Sequence, residues 1–150
     1  MSRFFKTDVT ASSTSGVMIA EGAFEIRMTA EPPFDVVDGV SLGRTTIDKT
    51  FSGPLEGASR VHMLSARTSV EGSAGYVALE RVAGVLDGKR GTFVLQHAGI
   101  MNRGAPALSV TVVPDSGTGE LAGISGRMEI RIVDGKHFYE LEYAMASPRP

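Results

Sequence analysis

Read as strands, the chain sets polar side chains among apolar ones. Glu80 shares a face with Tyr76, Ala78 and Val82, and His97 with Phe93, Leu95 and Met101. Lys49 alternates with Ile47 and Phe51, and Tyr143 with Tyr139, Leu141 and Met145. Desolvation raises the pKa of a carboxylate in such an interior, and a nearby ammonium or imidazole restores its charged form. A Glu80–His97 or Glu80–Lys49 arrangement can therefore be tuned for proton transfer. On this reading Glu80 and His97 are the catalytic candidates, and Lys49 and Tyr143 are supporting donors. Tyr76, Phe51, Met63 and Phe93 join Lys49 and Tyr143 as candidate ligand-lining residues, because aromatic and methionine side chains adapt to apolar ligands. A second reading stays open. Glu80 and His97 can satisfy each other as a cross-strand pair while Lys49 reaches a barrel mouth, and the aromatic residues can simply fill the interior.

Other chemistry has less support in the residues. The chain has no cysteine, which removes disulfides, thiolate zinc sites and a cysteine nucleophile. His62, His97 and His137 are scattered without metal-ligand spacing, and no serine lies in a Gly-x-Ser-x-Gly elbow, so neither a metal nor a hydrolase triad is expected. The segment Ser116-Gly-Thr-Gly-Glu-Leu-Ala-Gly123 superficially suggests a dinucleotide turn. Such a turn needs a following helix to face the pyrophosphate, whereas Met128-Glu-Ile-Arg-Ile132 alternates as a strand. Gly84-Val-Leu-Asp-Gly88-Lys89-Arg90 is one residue short of a phosphate loop and has Arg where a Ser or Thr belongs, so it reads as a hairpin tip. No cofactor is implied.

The elements that must position these residues are strands. Phe24-Glu-Ile-Arg-Met-Thr29 alternates apolar and polar, and Glu31-Pro-Pro-Phe-Asp35 stops the pattern, because consecutive prolines cannot supply ladder donors. The segment onward to Gly43 reads as an irregular connection. Arg44–Phe51 and Ser59–Ala66 form a hairpin across a Gly-Pro turn. Pairing Phe51 with Ser59 sets Lys49 against Val61 on a buried face, and Asp48 against His62 on a solvated one. Tyr76–Leu86 and Thr92–Met101 form another around Asp87-Gly88-Lys89-Arg90-Gly91, and a tip at Gly88-Lys89 sets Glu80 opposite His97. The outer faces of this hairpin, with Val77, Leu79, Val94 and Ile100, are apolar too. Strands through Leu108–Val113, Met128–Ile132 and Phe138–Met145 complete seven or eight in all. The expected fold is all-β, a closed antiparallel barrel of about eight strands. Residues 1–21 read as an N-terminal segment, with a first strand through Val17, Met18 and Ile19 as the alternative. Residues 22–146 form the barrel domain and 147–150 a tail.

Several stretches together resemble a known family. Lys49-Thr-Phe-Ser-Gly53 with Leu55-Glu-Gly57, Tyr76-Val-Ala-Leu-Glu-Arg-Val82, Gly88-Lys-Arg-Gly-Thr-Phe-Val-Leu-Gln-His97, Ser116–Gly123 and His137-Phe-Tyr-Glu-Leu-Glu-Tyr143 are similar to a bacterial family of unknown function. Its members are similar to the allene oxide cyclase barrel and are sometimes called lipocalin-like. The resemblance implies an eight-stranded, oligomeric barrel and supplies no activity. Allene oxide cyclases, and the spirotetronate-forming cyclases similar to them in fold, bind an apolar substrate in the barrel and control ring closure without a redox cofactor. No residue here matches their catalytic motifs, so none is carried over.

Composition narrows the remaining classes. At 150 residues, with 42% hydrophobic and 21% charged, the chain fits one globular domain. The net charge of -2 and absence of a basic stripe argue against nucleic acid. The first residues lack the apolar stretch of a secretory signal, and no run has the length of a membrane span, so a cytoplasmic protein without a membrane partner is expected. The expected function is binding of a small, largely apolar molecule in the barrel, with cofactor-free isomerisation or cyclisation as its catalytic form. The alternative is a non-catalytic homo-oligomer with a filled barrel.

Overall fold

A computed structural model of the protein describes residues 16–146. Ten strands follow in order: β1 (Val17–Ala30), β2 (Asp35–Val37), β3 (Val40–Ser52), β4 (Leu55–Arg67), β5 (Ala74–Leu86), β6 (Lys89–Asn102), β7 (Ala105–Val112), β8 (Thr118–Gly119), β9 (Ile124–Val133) and β10 (Lys136–Met145). There is no helix among the described residues, and hence none long and apolar enough to cross a membrane. Eight long strands run antiparallel in the order β1-β10-β9-β7-β6-β5-β4-β3, and pairing of β3 with β1 closes the barrel. The short strands β2 and β8 are appended to β3 and β6.

Turn chemistry sets much of this arrangement. Asp38-Gly39, Asp87-Gly88, Arg103-Gly104 and Asp134-Gly135 each have both residues at positive φ. That conformation matches the twist of the strands that a two-residue hairpin joins. Because Asp87-Gly88 is itself the tip, Leu86 pairs with Lys89, and Glu80 faces Leu95 while Ala78 faces His97. The pairing expected from a Gly88-Lys89 tip is thus displaced by two residues, which preserves the inward face of every side chain. The same correction applies to β3–β4, where Lys49 pairs with Ser59 and Phe51 with Gly57. Leu55, fully buried, is drawn out of the expected turn into β4 by the core.

Two further segments differ from expectation or resolve an open choice. Glu31–Gly43 contains a small hairpin, with Asp35 paired to Leu42, because Asp38-Gly39 supplies a tight turn after the prolines. Val17, Met18 and Ile19 belong to β1, one unbroken strand paired with β10 and then β3. The Ser-rich stretch before residue 16 lies outside the described residues.

The interior is filled unevenly along the barrel axis. One end holds the β3–β4 and β5–β6 turns and the 113–123 connection. There Phe24, Phe51, Leu55, Leu86, Phe93 and Tyr139 pack with Leu121 and Ile124 into a closed core. Phe51 lies 5.4 Å from Phe24 and meets Tyr139 edge-on at 5.6 Å, centroid to centroid. The Tyr139 hydroxyl pins the β3–β4 turn, accepting from the Leu55 N–H at 3.0 Å and donating to the Ser52 carbonyl at 3.0 Å. Gly22 makes room for this, since a Cβ there would overlap both the Ser52 carbonyl oxygen and the Tyr139 hydroxyl. Tyr139→Phe strands the Leu55 N–H in a buried site and is expected to cost about 1–3 kcal/mol, read as a lower urea midpoint at unchanged m value.

At the opposite end inward-facing side chains are partly open. Met28, Met101 and Leu108 all face the interior by strand parity and are 55%, 43% and 46% exposed. β7 and β9 share the single registered pair Thr111–Arg127, whereas β9 and β10 pair continuously from Val133–Lys136 to Ile124–Met145. The barrel therefore has one closed end and one end at which inward side chains reach solvent.

Candidate functional site

Between the two ends, four adjacent strands bring polar side chains to one point. Lys49 on β3, Ser59 on β4, Glu80 on β5 and His97 on β6 all face inward, and all are buried. Lys49 and Ser59 are direct cross-strand partners. Glu80 is offset by two residues from Ser59's partner Val82, and by two from His97's partner Ala78. Such diagonals are within reach of long side chains. Glu80 Oε1 accepts from Lys49 Nζ at 3.2 Å and from His97 Nε2 at 2.7 Å, and Oε2 accepts from Ser59 Oγ at 2.6 Å. Lys49 Nζ also lies 4.6 Å above the Phe24 ring, so its charge is met by a π face on the core side.

These contacts decide the charge of the carboxylate. Burial by itself pushes the Glu80 pKa up, but the His97 hydrogen bond, the Lys49 charge and the Ser59 hydroxyl together outweigh it and hold the pKa below the ordinary glutamate value. Glu80 is thus an ionised carboxylate with no exposed surface, balanced by one ammonium. Since an ionised carboxylate only accepts, His97 Nε2 carries the hydrogen it shares with Glu80. A carboxylate that holds one imidazole nitrogen fixes the orientation of the ring, and the 2.7 Å contact is short enough for a proton to pass between the two side chains.

Tyr76 stands beside this cluster toward the open end. Its ring centre is 6.4 Å from that of His97. The ring lies on Gly99, its cross-strand partner, where any Cβ would overlap it. Burial first, and then the negative charge of Glu80, raise the Tyr76 pKa, so its hydroxyl stays protonated. Met63 is half-buried, one inward position nearer the mouth than Val61, and pairs with Thr45, a further buried polar residue.

The other candidates lie elsewhere. Phe51 and Phe93 belong to the packed core. Tyr143 is at the closed end, where its hydroxyl donates to Asp87 at the β5–β6 turn, and burial with that carboxylate pushes its pKa far up. It is not brought to Glu80. His62 is outward and exposed, and His137 stacks on Phe24 at 5.2 Å. Among the described residues no group of three or more His, Cys, Asp or Glu is placed to hold a metal. Ser59 and Thr45 were not singled out by sequence reasoning, although their alternation with Val61 and Ile47 already set them on the inward face.

The model of a family described as protein of unknown function, DUF3224, matches residues 20–143. The chain belongs to that family. The DUF3224 barrel is similar to the crystal structure of a protein with unknown function from the DUF3224 family of Shewanella oneidensis MR-1. The two are 48% identical, with a TM-score of 0.83 over 87% of this chain and 99% of that one. No curated protein matches. The bacterial family resembled by the sequence stretches is thus DUF3224, and its barrel is the one observed here.

Proposed function

We propose that the protein binds a small, largely apolar molecule at the open end of its barrel, with the Glu80 cluster as the polar floor. The observation that carries this reading is a buried, ionised carboxylate engaged by Lys49, Ser59 and His97 at the border of the apolar core. Buried ion pairs often stabilise a fold no better than apolar residues of the same shape, so a function beyond packing is the more economical reason to build one. Met28, Met63 and Tyr76 supply adaptable apolar walls around it. The Glu80–His97 pair can move a proton but no net electrons, so the reaction class it supports is cofactor-free isomerisation or cyclisation. Native mass spectra of protein purified from its own host are expected to show a retained small molecule that is absent after denaturation. A barrel that arrives empty and takes up no apolar dye would end this reading.

A second reading has its own observation. Leu64, Val77, Leu79 and Ile100 form an apolar patch on the outside of β4–β6, and Val77, Leu79 and Ile100 are each more than half exposed. Patches of this kind mark association surfaces, so we propose this face as the contact of a homo-oligomer. Leu79→Asp is expected to reduce the solution mass measured by light scattering. An unchanged mass would eliminate the face.

A further inference from the structure

The outside of the barrel carries charge in rows. Glu21 on β1, Glu140 on β10 and Glu129 on β9 are direct cross-strand partners, and all three face outward, beside the buried Ala20, Tyr139, Leu141 and Met128. Like charges set directly opposite one another destabilise a sheet. Arg127 and Arg131 flank Glu129 along β9, but Arg127 is engaged by Glu142 at 3.0 Å, and among the described residues the three glutamates form no ion pair. A second row, Arg27, Asp48, Arg60 and Arg81, crosses β1, β3, β4 and β5 in the same way. Asp48 is shared between Arg27 at 3.0 Å and Arg60 at 2.8 Å, which leaves Arg81 directly opposite Arg60 and without an ion pair among the described residues. Glu21 and Arg81 cannot relieve each other within one chain. Between β1 and β5 lie β3 and β4 in one direction round the barrel, and β10, β9, β7 and β6 in the other. Their surroundings nevertheless match. Outward positions along β1 run Val17, Ile19, Glu21, and along β5 they run Val77, Leu79, Arg81, at the same spacing and with opposite charge. The four aliphatic residues are each more than half exposed.

We infer that a second copy of the chain lays its β1–β10–β9 face on β4–β5, with Glu21 set against Arg81 and with Val17 and Ile19 over Val77 and Leu79. This rests on the homo-oligomer reading above and names the surface that the β4–β6 patch meets. Sheets packed face to face lie about 10 Å apart, so side chains from the two faces touch when the strands run in the same direction. Removing the aliphatic side chains from water drives the association, and the opposed charges fix register and partner. The contact joins unlike surfaces. Each chain therefore offers one face to the copy before it and the other to the copy after it, in a head-to-tail arrangement.

The test is charge reversal read by light scattering over a range of protein concentrations. Both positions are exposed, and neither belongs to the Glu80 cluster or the core, so the fold is expected to survive, with an unchanged urea midpoint as the control. Arg81→Glu and Glu21→Arg are each expected to weaken association about tenfold, because each brings like charges together across the contact. Combining the two reversals in one chain restores opposite signs and is expected to return association to near the wild-type level. That recovery is specific to the head-to-tail contact. Were the β4–β6 face to meet its own copy, Glu21 would lie outside the interface and its reversal could not compensate for Arg81→Glu. Single reversals that leave the mass unchanged, or a double variant as weak as either single one, overturn the inference, while dissociation by Leu79→Asp would still uphold the patch. A wild-type mass of one chain overturns the inference and the oligomer reading together.

Discussion

Glu80→Ala is expected to lower the free energy of unfolding by about 3–5 kcal/mol, among the largest effects of any single substitution here. The loss comes mainly from what is left behind. Lys49 and His97 stay buried, 6% and 3% exposed, and Ser59 loses the acceptor of its short hydrogen bond. A carboxylate whose pKa is depressed on folding contributes stability that is complete above its unfolded value and is lost as the pH falls through the folded one. Glu80 is such a group, with a folded value below the ordinary 4.5. Urea denaturation from neutral pH downward should therefore show the gap between wild type and Glu80→Ala narrowing only under acid conditions. A gap that is small at neutral pH, or independent of acid, would mean that the carboxylate is not held ionised by its partners. Replacing Glu80, Lys49 and His97 together by apolar residues of similar volume should recover much of the loss, because no buried charge is then stranded.

Phe93→Ala is expected to cost about 3–5 kcal/mol, the range for emptying a fully packed aromatic position. Its ring is completely buried within the cluster that includes Phe51, Leu86 and Val112. Met63→Ala, at a half-buried site near the mouth, should cost far less, since its surroundings are partly solvent already. The contrast matters for function as well as stability. Residues that fill a closed core lose large free energies on truncation in the absence of any ligand, whereas residues lining a hollow lose little. A Phe93→Ala protein as stable as wild type would show that the closed end is hollow, and would place the binding site there.

The inward and outward faces were legible in the sequence because they depend on local geometry. Side chains alternate with a period of two whatever a strand pairs with, so Lys49, Glu80 and His97 could be assigned to the interior from their apolar neighbours alone. The Asp-Gly turns were equally local, since few residues tolerate the positive φ that a tight hairpin demands. The resemblance to a barrel family also rested on stretches that could be read directly. Register was another matter. A shift of two residues changes no side chain's face, so alternation could not choose between Glu80 opposite His97 and Glu80 opposite Leu95.

Tertiary structure made that choice, through turns that close at Asp87-Gly88 and through the burial of Leu55. It also turned Glu80 and His97 into a diagonal pair, and added Ser59 to the second carboxylate oxygen. Which end of the barrel is closed was likewise beyond the sequence. Leu121, from the connection that follows β7, joins the core at one end, and closure depends on β1 meeting β3. Tyr143 shares a strand face with buried residues just as Glu80 does, yet it meets Asp87 at the closed end. Its height along the barrel axis depends on pairing with Met18 on β1 and Gly126 on β9, and β1 is distant from it in sequence. A period-two pattern tells which side of a wall a residue is on. Only the assembled wall sets how far along it the residue stands, and so whether it meets a charge, a ring or open space.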